Sequence, residues 1–426
     1  MKLKRIFASI SLCIVLSIHM YGQKIYTLEE CRTLAIENNI NIKNATFAVQ
    51  SAKHEQKKAF TNYFPNISAT GMGFNANKGL LQMDLGPGMN MSLIKNGILG
   101  GVTFTQPIFA GGQIINGNRL AGLGVEISEI QQEQTHDEVL LTLEKYYWQV
   151  VILKEKLNTL NSLKQQLYSI ENDVQSYVNA GITNRNDLLE VQLQQNEIES
   201  NIISVKNGLS VSLMLLSQYI GEDNDIDIQY DINTAEVPDL PYDIYIEPSD
   251  VLTQTINYRL LKSNLKASQL QLKVEKGRNM PSVAVGAGYM YDNLMDKSHP
   301  FALGYVSVSI PISGWWGGSH SIKKQKLQVL KAENLISDTS ELIIIGIKKS
   351  WNDLNEAHKQ IVIAQQSVIQ ADENYRLNEN YYKAGTTTIS ELLDAQTLLQ
   401  KSNDKYIEAY GNFCIKIVEY LQVTGR

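Results

Sequence analysis

The chain has 426 residues, enough for two or three ordinary domains. Only nine are proline, and the long stretches between prolines are rich in Leu, Gln, Asn, Glu and Lys, a composition of long helices rather than compact α/β units. The net charge of −6 is mild and mixed, and no Lys/Arg stripe interleaves with aromatics, which excludes a nucleic-acid surface. The histidines beyond residue 22 (His54, His136, His299, His320 and His358) are scattered, with no HExxH and no paired ligands. No metal site, cofactor, catalytic set or enzyme activity is expected from that pattern.

Residues 1–22 read as a secretory signal: Met1-Lys-Leu-Lys-Arg5, an apolar core from Ile6 to Ile18, then Met20-Tyr-Gly22. The apolar run is too short to span a bilayer. Leu12 precedes Cys13 where a lipid-attachment signal wants a small residue. Cys31 and Cys414 could pair in an oxidising compartment, but two buried thiols on helices is the favoured reading.

Thr27-Leu-Glu-Glu30 is a capping box opening a helix towards Tyr63, with Pro65 as its stop. A strand-like stretch from Asn66 to Phe74, a Gly/Asn/Met-rich loop to Gly100 and an alternating Gly101–Gln106 closed by Pro107 make a β-hairpin over about 66–106. From about Gln113 to Val178 there is no proline. Apolar residues recur at three- and four-residue steps: Leu140, Leu143, Tyr147, Val150, Leu153, Leu157, Leu160, Leu163, Leu167, Ile170, Val174 and Tyr177. That is a coiled-coil seam on a helix roughly 100 Å long at about 1.5 Å per residue. Ala180-Gly181 lets the chain leave the helix with positive φ. Asn186 is placed to cap the return helix, with Asp187 in its first turn, giving a hairpin tip over about 179–187. The return seam is Leu188, Val191, Ile198, Ile202, Val205, Leu209 and Leu216. Residues 221–248, with Asp223, Asp225, Asp227, Asp231, Pro238, Pro241 and Pro248, read as an irregular acidic surface linker.

The second half repeats the first. A helix runs from about Ser249 to Gly277 and stops at Pro281, and a hairpin covers about 282–310. Val306, Val308 and Ile310 share one strand face, and Ser307 and Ser309 the other, as between lipid and water. A soluble sandwich hairpin on a core is the alternative. Four strands are too few for a closed barrel or a free-standing sandwich, but three chains giving four each would close one without edges. A second long helix, about Ser319 to Lys383, ends in a tip over about 383–391, with Ser390 as cap and Glu391 in the first turn. Tyr177-Val-Asn-Ala-Gly-Ile-Thr-Asn-Arg-Asn-Asp-Leu-Leu-Glu-Val-Gln192 reappears as Tyr381-Tyr-Lys-Ala-Gly-Thr-Thr-Thr-Ile-Ser-Glu-Leu-Leu-Asp-Ala-Gln396. The period, roughly 200 residues, is too long for a solenoid. The chain is therefore two structural repeats, 23–220 and 249–426, joined by 221–248.

This order of elements resembles the outer-membrane efflux protein family. The residues that carry the resemblance are Phe64-Pro65 and Met280-Pro281 ahead of rising strands, Gln106-Pro107-Ile108-Phe109 and Ile310-Pro311-Ile312 after falling ones, and both tip motifs. It implies a mainly α fold with a small β part: duplicated helical hairpins forming a periplasmic α-barrel, and four strands per chain in a trimeric, twelve-stranded outer-membrane β-barrel. It implies the exit duct of a tripartite efflux pump, with a homotrimer, a periplasmic membrane-fusion adaptor, an inner-membrane transporter (proton-driven or ABC) and outer-membrane lipid as partners. A type I protein secretion duct is the alternative within the family; a non-conducting periplasmic coiled-coil scaffold or adaptor is the alternative outside it. Carried over residue by residue, Glu391 and Asp394 ring the entrance constriction. Asp187 and Tyr382 match the entrance lock. The family's lock arginine is Thr387 here, and Arg185 is the candidate replacement. The docking patch maps to Ala180, Gly181, Ile182, Ala384, Gly385 and Thr386. Six carboxylates brought together by threefold symmetry would favour cations, and their repulsion should raise some of their pKa values.

Overall fold

A computed structural model describes residues 24–84, 90–222, 226–232, 237–294, 297–312 and 314–426. The signal segment 1–22 and the linker residues Asp223 and Asp225 lie outside the described residues. In chain order the elements are β1 (Lys24–Tyr26), α1 (Leu28–Asn38), α2 (Ile40–Thr61), β2 (Asn66–Asn75), β3 (Leu81–Asp84), β4 (Asn90–Leu93), β5 (Asn96–Ala110), α3 (Gln113–Asn179), α4 (Arg185–Ile220), β6 (Ile226–Ile228), α5 (Pro248–Val251), α6 (Ile256–Arg278), β7 (Ser282–Leu294), β8 (Lys297–Ser309), α7 (Gly314–Lys383) and α8 (Ile389–Val423). The fold is mainly helical, with helical hairpins α3–α4 and α7–α8 duplicated and four long strands. The chain divides into two compact units, each drawing on both repeats. One takes the described residues within Met1–Asn44, Gln134–Val251 and Ile344–Arg426; the other takes Ala45–Glu133 and Leu252–Ile343.

The first unit holds two apolar cores. In one, Leu143, Tyr147, Val150 and Val151 of α3 pack with Cys31 and Ala35 of α1, Leu216 and Ile220 of α4, and Ile226 and Ile228 of β6. In the other, Leu160, Leu163, Leu167, Ile170 and Val174 of α3 meet Leu188, Val191, Ile198 and Ile202 of α4 and Ile389, Leu392 and Leu393 of α8. Most seam positions of the sequence are buried, while Leu140, Leu153, Leu157, Tyr177, Val205 and Leu209 are half-buried. Glu144 is 1% exposed within the first core. It accepts hydrogen bonds from Arg32 Nε at 2.7 Å and Trp148 Nε1 at 3.2 Å, as a buried carboxylate must. Cys31 and Cys414 are free thiols, and burial pushes both up to about 12.

Three local features depart from the expected elements. The capping box at Thr27 and Glu30 forms, but the helix it opens stops at Asn38. Asn39 takes an extended backbone, and its Oδ1 accepts the Asn41 N–H at 2.9 Å, restarting the chain as α2. Asn38 Nδ2 donates to Ile220 O at 3.0 Å and Asn39 Nδ2 to Tyr219 O at 3.4 Å. The break thus satisfies carbonyls that the end of α4 leaves open. Second, the acidic segment is not wholly irregular: β6 pairs in parallel with β1, its isoleucines are buried, and Asp227 accepts from Lys154. Third, the helix expected from Ser249 is divided into α5, a 3-10 turn (Leu252–Gln254) and α6. Thr255 ends the turn by donating to Leu252 O at 2.8 Å, and it caps α6 by accepting the Tyr258 N–H at 3.3 Å.

The second unit is built on one antiparallel sheet in the order β2-β5-β7-β8. The register sorts its side chains most clearly towards the end where Asn66 and Ser309 lie; further along, Met72, Leu99, Met290, Phe301 and Leu303 join the face that carries the hydroxyls. Ile67, Val102, Phe104, Val283, Val285, Tyr289, Val306 and Val308 share one face; Ser68, Thr70, Thr103, Thr105, Ser307 and Ser309 share the other. On the polar face Ser68 and Thr103 hydroxyls meet at 2.8 Å, and Thr105 and Tyr305 at 3.0 Å. Gly286 leaves room for the Tyr305 ring, which a Cβ there would meet at 2.2 Å. Ile67, Val102, Val306 and Val308 are exposed on the apolar face. Within the segment expected to be a loop, β3 and β4 form a short hairpin. β5 runs through Pro107 to Ala110 by a register shift between Pro107 and Phe109, so the proline bends the strand instead of ending it.

Candidate functional site

The two hairpin tips close by the same chemistry. Gly181 has φ 74° and Gly385 φ 71°. Ile182 N–H donates to Tyr177 O and Thr386 N–H to Tyr381 O, each at 2.9 Å; Gly181 N–H reaches Val178 O at 3.0 Å and Gly385 N–H reaches Tyr382 O at 2.9 Å. This is the paired closure of a Schellman motif. Ala180, Gly181, Ile182, Ala384, Gly385 and Thr386 are all exposed, and Ile182 at 73% is an isoleucine with little to cover it.

The return helices start two residues earlier than Asn186 and Ser390 would set them. Asn184 caps α4, its side chain accepting from Asn186 N at 2.8 Å and Asp187 N at 3.2 Å. Thr388 caps α8 in a full capping box with Glu391. Only two residues separate each glycine from its cap, and the backbone is extended at Asn184 and Thr388. Asn186 donates to Glu190 instead.

One polar contact appears in both tips. The Thr183 hydroxyl donates to the Asp187 carboxylate, and the Thr387 hydroxyl donates to Glu391. Thr387, where the family resemblance calls for an arginine, therefore holds a hydroxyl that grips the Glu391 carboxylate. The spacing that encodes it, Thr four residues before an acid, is present in both tips. Hydrogen bonds from Thr387 and from the Thr388 N–H hold the Glu391 carboxyl below its ordinary value. Asp394 is exposed three residues on, while Leu392 and Leu393 between them are buried. The two carboxylates therefore share the open face of α8.

Tyr382 is half-buried, with its ring 6.4 Å from that of Tyr177. Burial, then the Asp187 charge, pushes its phenol up to about 12. Tyr382 and Asp187 are thus brought near one another. Arg185 is exposed and, among the described residues, forms no ion pair; two positions from Asp187 on one helix, it projects to another side.

Among the described residues no helix is long and apolar enough to cross a membrane. The model of a family described as outer membrane efflux protein matches residues 32–222 and 257–425, so that the gap between the matched parts covers most of the acidic segment. Outer membrane protein TolC of Escherichia coli (strain K12) is 19% identical over 324 residues, 70% of this chain and 64% of TolC. The match therefore spans a little under two thirds of that relative. TolC of Vibrio cholerae serotype O1 is 19% identical over 312 residues, 70% of each chain. Among solved structures, the Campylobacter jejuni CmeC outer membrane channel superposes with a TM-score of 0.78 at 16% identity, covering 93% of this chain and 85% of that one. CusC superposes at 0.77 with 14% identity, covering 96% and 95%. The open-state Neisseria gonorrhoeae MtrE outer membrane channel superposes at 0.75 with 15% identity, covering 93% and 88%. With the family model matched across both repeats, and the fold shared with solved channels over nearly the whole chain, this chain belongs to the outer membrane efflux protein family and is a protein of the outer membrane.

Proposed function

We propose that the chain is the exit duct of a tripartite efflux pump and works as a homotrimer. Members of the family are channels, not enzymes. The observation that carries the reading is the sheet: one apolar exposed face, an opposite face lined with hydroxyls towards the Asn66 and Ser309 end, and edge strands β2 and β8 with no second neighbour among the described residues. Three copies pairing edge to edge would close twelve strands, with the apolar face on lipid and the hydroxyl face on a water-filled lumen. In this proposal residues 1–22 direct export, and the repeats 23–220 and 249–426, joined by 221–248, supply two helical hairpins per chain to a periplasmic α-barrel. The tips at Ala180, Gly181, Ile182, Ala384, Gly385 and Thr386 receive the periplasmic adaptor, which links the duct to an inner-membrane transporter, proton-driven or ABC. Glu391 and Asp394 ring the entrance, Asp187 and Tyr382 hold it shut, and Arg185 stands in for the lock arginine by reaching an acid on another chain.

The test is single-channel recording of the detergent-extracted protein in a planar bilayer under a salt gradient. Cation-selective steps are expected, and Glu391→Ala with Asp394→Ala is expected to weaken both the selectivity and block by multivalent cations. Unchanged selectivity in the double variant places the constriction elsewhere. An Arg185→Ala/Asp187→Ala variant that leaves closed-state conductance unchanged removes Arg185 from the lock.

A further inference from the structure

We propose that a groove between α2 and the first turns of α3 binds the phosphate of an anionic membrane phospholipid. The proposal rests on reading the four-stranded sheet as part of a membrane barrel. Residues just beyond Asn66, Ala110, Ser282 and Ser309 all gather at one end of that sheet, and this end is crowded with exposed aromatics. Phe60 meets Tyr63 and Phe64 edge to face, each at 5.5 Å between ring centres. Trp315 donates its Nε1–H to Asn279 O at 3.0 Å, and Trp316 is 80% exposed. Amphipathic rings in such a girdle mark the depth where lipid headgroups meet water.

The groove, about 670 Å³, opens at this level, and Lys57, Phe60, Tyr63, Ile115 and Arg119 line it. Lys57 lies one helical turn from Phe60 on α2, and Arg119 one turn from Ile115 on α3, so each cation is set a turn away from an apolar wall residue. Both are exposed. Their charges are left for an outside partner. Lys53 is paired with Glu129 and Lys58 with Glu55, each at 3.2 Å, whereas among the described residues neither Lys57 nor Arg119 has an ion pair. Two free cations above an aromatic and aliphatic wall match a phosphodiester followed by acyl chains: the guanidinium takes phosphate oxygens, the ammonium adds charge, and the rings cover the first methylenes.

The test uses the full-length protein in detergent, with phosphatidylglycerol or phosphatidylcholine added and the bound lipid counted by native mass spectrometry. Wild type is expected to hold phosphatidylglycerol at least tenfold more tightly. Lys57→Gln/Arg119→Gln is expected to lose the preference, and the control Lys53→Gln/Lys58→Gln to keep it. No preference in wild type, or its survival in the Lys57/Arg119 variant, overturns the proposal. Displacement of the lipid by inorganic phosphate at equal concentration also overturns it, since that marks a free-anion site. So does cross-linking between copies through a cysteine placed at Arg119, since that makes the groove an interface. Protein that conducts in bilayers yet shows no lipid preference loses this site alone, whereas protein that never enters a bilayer loses the barrel reading and the site with it.

Discussion

Thr387 favours the ionised form of Glu391. Because the carboxylate takes hydrogen bonds that the protonated acid would lose, its pKa lies below the ordinary glutamate value. The stabilisation is present above that ordinary value and disappears as pH falls through the lowered one. In the proposed threefold ring, repulsion would act the other way, and the Thr387 hydroxyl would oppose it, keeping such a ring charged into more acidic conditions. Thr387→Val is expected to move the acid midpoint of cation selectivity upward, read from reversal potentials over a pH series. Glu144 is a different case, because it is buried. Arg32→Met would strand its charge, and removing one partner of such a pair costs about 3–5 kcal/mol. The expected result is a clear fall in the melting temperature of the helical circular dichroism signal, and Arg32→Met with Glu144→Leu should recover much of it. At this scale the sequence spoke unevenly. The i, i+3 spacing of Glu391 and Asp394 told which face they share. Asn184 against Asn186 could not be decided, because both cap well and only the length of the turn chooses between them. The grip of Thr387 on Glu391 was legible only as a spacing that the two tips share.

At the scale of elements, the long helices were plain because more than sixty residues pass without proline and one apolar period runs from Leu140 to Tyr177. The tips were plain too, because each needs a left-handed residue. Gly181→Val and Gly385→Val would place a β-branched residue at φ above 70°, costing about 1–2 kcal/mol each. Fraying of the last turns of α3 and α7 is expected, seen as faster amide exchange at the tips with the distant core around Leu143 and Val150 unchanged, and with it weaker binding of an adaptor hairpin. The break at Asn38-Asn39 was hidden because its cause is the end of α4, far along the chain. The strand β6 was hidden because it is three residues long and its partner β1 begins at Lys24. Pro107 misled because a strand can carry a proline where its register shifts.

At the scale of the whole molecule, the two faces of the sheet should be separable by charge. Val306→Arg puts a cation on the apolar face three residues from the end placed at headgroup depth, where a membrane strand loses less than the about 2–4 kcal/mol of the bilayer centre. Ser307→Arg, one residue on, faces the other way. The first is expected to cut the yield of membrane-inserted trimer and the second to insert and lower cation conductance; equal yields would mean the apolar face does not meet lipid. The central ladder of this sheet joins β5 to β7, and Gly97 pairs with Leu294 while Ala110 pairs with Ser282. Each strand of that ladder comes from a different repeat. A growing chain that has released only its first repeat therefore holds a hairpin whose inner edge has nothing to join, with its apolar face bare. Assembly of the barrel strands must wait for most of the polypeptide, and closing so distant a contact is slow. During that interval the chain is an aggregation hazard that a holding chaperone would have to shield, and a fragment ending after the first repeat should be found in aggregates or degraded, never in the membrane.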